Sequence, residues 1–171
     1  MMHNVKPKVK TIVKETNVKT YCLKLNRSVG VFVLGEEITT HLSLPHEYYH
    51  CTDDGSEMTN YDFYFFPESG MDVYVDEQNP TIIDTIMCRK YCYWQGRNLI
   101  GMPYTEFLQF TNFIPIESDG EINYVYSLEH KYKQRCYIFE TEGLQVWTWR
   151  KRIVSVTVSR YIDNEQKMTS H

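Results

Sequence analysis

The chain has 171 residues, a formal net charge of −4, and 42% hydrophobic side chains that include 14 Tyr, 8 Phe and 3 Trp. So much apolar surface excludes a chain that stays disordered, and no window approaches the roughly 18 uninterrupted apolar residues of a membrane-spanning helix. The basic start over residues 1–10 leads into no apolar run of secretory type, so the sequence reads as cytoplasmic, with no membrane partner.

In chain order, a basic arm covers residues 1–17, and the apolar residues of 18–25 and 29–34 predict two strands. Leu34-Gly35 then leads into a short amphipathic helix whose inward positions are Ile38, His41 and Leu42. Residues 61–75 predict a β-hairpin turning at Gly70, followed by a strand over 83–86. Residues 91–100 read as a strand broken at Gln95-Gly96. Pro103 opens a second short helix with Tyr104, Phe107 and Leu108 inward. A second hairpin spans 134–148 with Gly143 at its turn, a strand follows over 153–156, and residues 162–171 read as a tail. Val73 and Tyr74 align with Val146 and Trp147, and Leu34-Gly35 aligns with Ile100-Gly101. The chain therefore reads as one domain of two tandem repeats, about 18–88 and 89–160, each a β-α-β-meander. The fold class is α+β, mostly antiparallel sheet with short helices on one face. Aromatics fall on both strand faces: Phe63 and Phe65 alternate with Tyr64 and Phe66, and Trp147 and Trp149 with Val146 and Thr148. Either both sets are core, or one is an exposed recognition surface.

Charge is distributed unevenly. Residues 1–27 net +6, residues 28–88 contain no Lys or Arg against twelve acids, and residues 89–171 net +2. Such a single-sign stretch steers partners of opposite sign, a basic protein above all, unless the N-terminal lysines fold back over it. Direct nucleic-acid binding by it is disfavoured, because phosphates require cations.

His46-Glu47-Tyr48-Tyr49-His50 spells the H-E-x-x-H pattern, which on a helix sets two imidazoles and a general base around zinc. Pro45 before it and Cys51-Thr-Asp-Asp-Gly55 after it leave room for about a turn of helix. The sequence is therefore read as non-catalytic, without metal or cofactor. A zinc-dependent hydrolase using His46, Glu47 and His50 is the alternative, and a non-catalytic oligomeric scaffold a third reading. Five cysteines, an odd number whose one close pair is Cys88 and Cys92, read as reduced thiols.

Leu-Gly before a short helix, Tyr-x-Phe-x-x-x-x-Gly-Met-Asp-Val-Tyr-Val and Ile-x-x-Ile, repeated as Ile-Gly, Gly-Leu-Gln-Val-Trp-Thr-Trp and Ile-Val-Ser-Val, carry a resemblance over about residues 28–160. The pattern resembles small bacterial immunity proteins of polymorphic and contact-dependent growth-inhibition toxin systems. More loosely it resembles the tandem helix-plus-sheet architecture of beta-lactamase inhibitory protein. The resemblance implies a cytoplasmic inhibitor that occludes the active site of a cognate toxin domain, a basic protein of nuclease type; it leaves the oligomeric state open. Charge alone nominates the contact residues: Glu36 and Glu37 at the first helix, Asp53, Asp54 and Glu57 in the following loop, Glu68 and Asp72 at the hairpin, and Asp76 with Glu77 at the next turn. Tyr48 and Tyr49 are the nominated aromatic anchors.

Overall fold

Period-two apolar runs punctuated by glycines make most of this chain into antiparallel sheet. The structure is a computed structural model and describes residues 18–51, 61–116, 121–127 and 130–160. Three two-residue strands, β1 (Leu23–Lys24), β2 (Ser28–Val29) and β3 (Phe32–Val33), form a small sheet, and a 3₁₀ turn follows at Ile38–His41. Next come β4 (Glu47–Cys51), β5 (Tyr61–Phe66), β6 (Met71–Val75) and β7 (Ile83–Cys88). The tiny hairpin β8 (Tyr93–Trp94) and β9 (Arg97–Asn98) precedes helix α1 (Tyr104–Thr111). The chain then runs through β10 (Glu121–Ser127), β11 (His130–Phe139), β12 (Leu144–Trp149) and β13 (Arg152–Ser159). Eight of the strands make one antiparallel sheet in the order β10-β11-β12-β13-β7-β6-β5-β4.

Register separates the faces of this sheet. One row crosses it as Tyr64, Val73, Ile86, Val158, Leu144 and Phe139, and the adjacent row as Phe66, Met71, Cys88, Val156, Val146 and Tyr137. These positions are buried or packed on the core, together with Leu23, Val29, Phe32, Ile38, Leu99 and Phe107 from the small sheets, the 3₁₀ turn and α1. Fully burying each large side chain stabilises the fold by about 2–3 kcal/mol. The opposite face carries Phe65, Asp72, Met87, Thr157, Gln145 and Ile138 in one row and Tyr49, Phe63, Tyr74, Thr85 and Ser159 in the next. Both α1 and the 3₁₀ turn lie on the core side.

The same backbone pairing ties each helical segment to the sheet. Gly35 N–H donates to Ile83 O, Ile83 N–H to Glu36 O and Ile38 N–H to Thr81 O, at 2.8, 2.9 and 2.8 Å. In the other half Gly101 N–H donates to Ile153 O, Ile153 N–H to Met102 O and Tyr104 N–H to Lys151 O, at 2.7, 3.0 and 2.9 Å. Because β7 and β13 run antiparallel, these two attachments sit at opposite ends of the sheet.

Several sequence expectations need correction. The strand expected over 18–25 is only β1, with residues 18–20 helical and Cys22 making a single parallel bridge to Tyr93. The strand expected over 29–34 is a hairpin, since Gly30 takes φ 59° and reverses the chain. The first helix is a single 3₁₀ turn with no side-chain cap on its N-terminus. Each meander has four strands, the extra ones being β4 and β10. The break at Gln95-Gly96, the reversals at Gly70 and Gly143 and the helix start at Pro103 are where the sequence places them. The arm 1–17 and the tail 162–171 lie outside the described residues.

Candidate partner-binding surface

Four of the nominated acids come together through the attachment of the 3₁₀ turn. Glu37 bridges Ile82, and Asp76 N–H donates to Ile82 O at 2.8 Å, so Glu36, Glu37, Asp76 and Glu77 share the end of the sheet where β6 gives way to β7. Asp62 and Asp84, neither of them nominated, join them: β5 begins at this end beside the finish of β6, and Asp84 follows Ile83 at the start of β7. His50, Asp62, Val75, Asp76, Glu77 and Pro80 surround a shallow cavity of about 330 Å³ here. Asp76 is partly committed to structure, because its Oδ1 accepts the N–H groups of Gln78 and Asn79, both at 2.8 Å. Glu37 accepts the Thr39 hydroxyl at 3.1 Å. The ion pairs among described residues are His50–Asp62, Arg89–Asp72 and Arg97–Glu106, and none uses Glu36, Glu37, Asp76, Glu77 or Asp84. Of these, Glu36, Glu37 and Glu77 are exposed and Asp62, Asp76 and Asp84 half-buried, and carboxylates gathered at one end of a sheet lower the local potential together, an effect that decays over about 8–10 Å in physiological salt. A nearby cation is Arg160, whose guanidinium approaches Gly35.

The other nominated residues separate. Glu68 sits in the β5–β6 turn, at the far end of the same strands. Asp72 is only 3% exposed, on the helix-free face, and bonds Arg89. Burial pushes its carboxyl above the ordinary range, against the pull of the guanidinium. It is therefore no part of an exposed acidic surface. Asp53, Asp54 and Glu57 lie outside the described residues.

Tyr48 and Tyr49 are 53% and 42% exposed on β4, which among the described strands pairs with β5 alone. Adjacent strand residues point to opposite faces, so they do not form one anchor. Tyr48 lies over Tyr64 on the core side, 5.1 Å between centroids, while Tyr49 stacks on Phe63 at 4.9 Å on the helix-free face and donates its hydroxyl to Glu47. Partial burial and the neighbouring Asp62 carboxylate raise the Tyr48 phenol, and the Glu47 hydrogen bond raises that of Tyr49. Tyr49, Phe63 and Tyr74 continue as an aromatic band across β4, β5 and β6, with 5.1 Å between the rings of Phe63 and Tyr74.

No family model, curated protein or solved structure matches the chain.

Glu47 to His50 of the H-E-x-x-H motif run along strand β4 and His46 directly precedes it, so that extended chain, with a rise of about 3.3 Å per residue, lies between the two histidines. His46 Nδ1 contacts Leu44 O at 2.8 Å and its ring packs on Tyr64 and Phe66, whereas His50 pairs with Asp62. The helical spacing that brings two such imidazoles to one metal is replaced by strand spacing. Among the described residues, no group of three His, Cys, Asp or Glu side chains is placed to hold a metal ion. Cys22, Cys88, Cys92 and Cys136 are free thiols. Hydrogen bonding with Cys92 and burial push the Cys88 thiol well up, which favours its protonated form. Among the described residues, no helix is long and apolar enough to cross a membrane.

Proposed function

We propose that this chain is a cytoplasmic inhibitory binding protein of the immunity type. It takes a basic protein, a nuclease-type toxin domain, against the acidic end of its sheet and occludes that partner's active site. The observation that carries the reading is the gathering of Glu36, Glu37, Asp62, Asp76, Glu77 and Asp84 at one end of the sheet, with Glu36, Glu37, Asp76, Glu77 and Asp84 outside every described ion pair. A groove that binds phosphates is built from cations, and a dense set of carboxylates can occupy it in place of nucleic acid. The exposed edge strand β4, with Tyr49 and the aromatic band beside it, supplies apolar area for a rim contact. We further propose that the two halves are tandem repeats of one unit. The matched attachments of Gly35–Ile38 and Gly101–Tyr104, and the matched four-strand meanders, support that view. On it, the first unit has specialised as the acidic one.

The test is association with the protein encoded beside this one, measured by stopped-flow at several ionic strengths. The fourfold variant Glu36→Lys, Glu37→Lys, Asp76→Lys, Glu77→Lys is expected to associate about 10- to 100-fold more slowly at low salt, the difference shrinking as salt rises. An association rate equal to wild type at every ionic strength would refute the reading.

A further inference from the structure

The end of the sheet opposite the acids holds a cleft of the other sign. Lys133 and Arg135 are exposed and, two residues apart along β11, share a face with Tyr137, and Arg150 and Lys151 form the β12–β13 turn across from them. With Tyr104, Thr105 and Thr148 these residues enclose about 620 Å³, and no acid is among the described residues that line it. The floor is the stacked pair Tyr104 and Tyr137, 3.9 Å apart. The N-terminus of α1 opens at the same place and adds its own positive potential. Tyr104 N–H holds the Lys151 carbonyl at 2.9 Å, and Arg152 reaches the Gly101 carbonyl at 2.7 Å, so the turn is fixed to the start of the helix.

The turn itself is unusual in its chemistry. Arg150 and Lys151 have φ 49° and 64°, two successive left-handed residues closing a two-residue hairpin. Such turns favour Asn-Gly, because side chains disfavour that backbone region. The comparable turn at Gln95 and Gly96 uses glycine in its second position, with φ 79°. At 150–151 two long cations stand in that left-handed conformation, Arg150 with its guanidinium 4.4 Å over the Trp149 ring, and both line the same cleft as Lys133 and Arg135. An anion held among the four side chains would be attracted to all of them at once.

We propose that this cleft binds the phosphate chain of a small oligophosphate compound, with Lys133, Arg135, Arg150 and Lys151 as its cationic ligands. A concave site of four cations suits several linked phosphoryl groups better than a single one. The site is independent of the acidic end and of the partner proposed there.

The experiment is isothermal titration of the full chain with inorganic triphosphate, inorganic phosphate and a short single-stranded oligonucleotide, at one fixed low ionic strength. Triphosphate is expected to bind one to one and more tightly than phosphate. The double variant R150N/K151G should weaken triphosphate about tenfold or more, the loss of at least one charge-assisted contact, while raising the melting temperature of the free protein. K133Q/R135Q should weaken binding similarly and serves where the turn variant disturbs folding. Absence of triphosphate binding overturns the proposal, as does unchanged affinity in both variants. An oligonucleotide that binds as tightly per phosphate as triphosphate also overturns it, in favour of an extended electrostatic surface.

Discussion

Gly143 and Gly96 allow the cost of a backbone conformation to be separated from the cost of a close approach. Both have positive φ, 65° and 79°. A Cβ at Gly96 meets nothing within 4 Å, whereas one at Gly143 would stand 2.2 Å from Asn26 Oδ1 and 2.8 Å from the Ser159 carbonyl oxygen. Moving the left-handed residue to alanine costs about 1–2 kcal/mol in the folded state, offset by about 0.4–1 kcal/mol from the stiffer unfolded chain. Gly96→Ala should therefore destabilise by about 1 kcal/mol. Gly143→Ala should also displace Asn26, whose Nδ2 donates to Thr141 O at 2.8 Å. Losing that bond costs about 1 kcal/mol, and shifting the end of β13 about 1–2 more, giving about 3–4 kcal/mol in total. Urea unfolding followed by tryptophan fluorescence measures both, and adding Asn26→Ala to Gly143→Ala should restore part of the loss. Equal costs at the two glycines, within about 0.5 kcal/mol, would show that the contact of the first β-hairpin region with the β11–β12 turn has no energetic weight.

Phe107 is fully buried against Tyr104, Phe113 and Phe139, so Phe107→Ala should cost about 3–5 kcal/mol and lower the melting temperature by roughly 10 °C in calorimetry; a loss below about 1 kcal/mol would mean α1 is not docked there. The Asp72 carboxyl is raised by burial, so the folded state holds its proton to higher pH than the unfolded chain, and stability falls as pH rises from about 4 through the raised value. Asp72→Asn removes that slope and should match wild type near pH 3.5 yet equal or exceed it at pH 7 in urea titrations; a large deficit at pH 7 would show that the Arg89 pair outweighs burial. Burial lowers His41, whose ring lies edge-on to Phe32 at 5.0 Å and whose Nε2 is buried without a hydrogen bond. Its contribution is present above the free-histidine value and is lost as pH falls, so His41→Phe should flatten the decline in stability between about pH 7 and pH 5; an unchanged decline would place its origin elsewhere.

Hairpins were the most legible part of this chain, because Gly70 and Gly143 occupy left-handed positions between runs that alternate cleanly. Strand β4 was hidden. As an edge strand it puts Tyr48 and Tyr49 toward partly solvated faces, and Glu-Tyr-Tyr-His-Cys shows no apolar alternation for that reason. The reversal at Gly30 was hidden for a different cause: Val29, Val31 and Phe32 surround it with no polar turn residue, and only the backbone freedom of glycine allows the turn. Charge bookkeeping located the acidic half but not its geometry. Asp62 alternates with Phe63 and Tyr64 inside a strand and looks like an ordinary strand acid until β4 sets His50 beside it. Asp72 shows the converse, since its position in the sheet, not its charge, decides that it is buried.

The junction of β7 with β13 bears on how the protein is made. Strands β4 to β7 are neighbours in sequence and pair by short connections, so they can zip up early. Their far partner β13 is the last described strand, and until it is synthesised the β7 edge from Thr85 to Cys88 presents unpaired amide and carbonyl groups flanked by Ile86 and Met87. The nascent first half thus carries an open, partly apolar border for most of the time its second half is being translated. That interval, before Val156, Thr157, Val158 and Ser159 close the border, is when the chain is most exposed to pairing with another copy of itself.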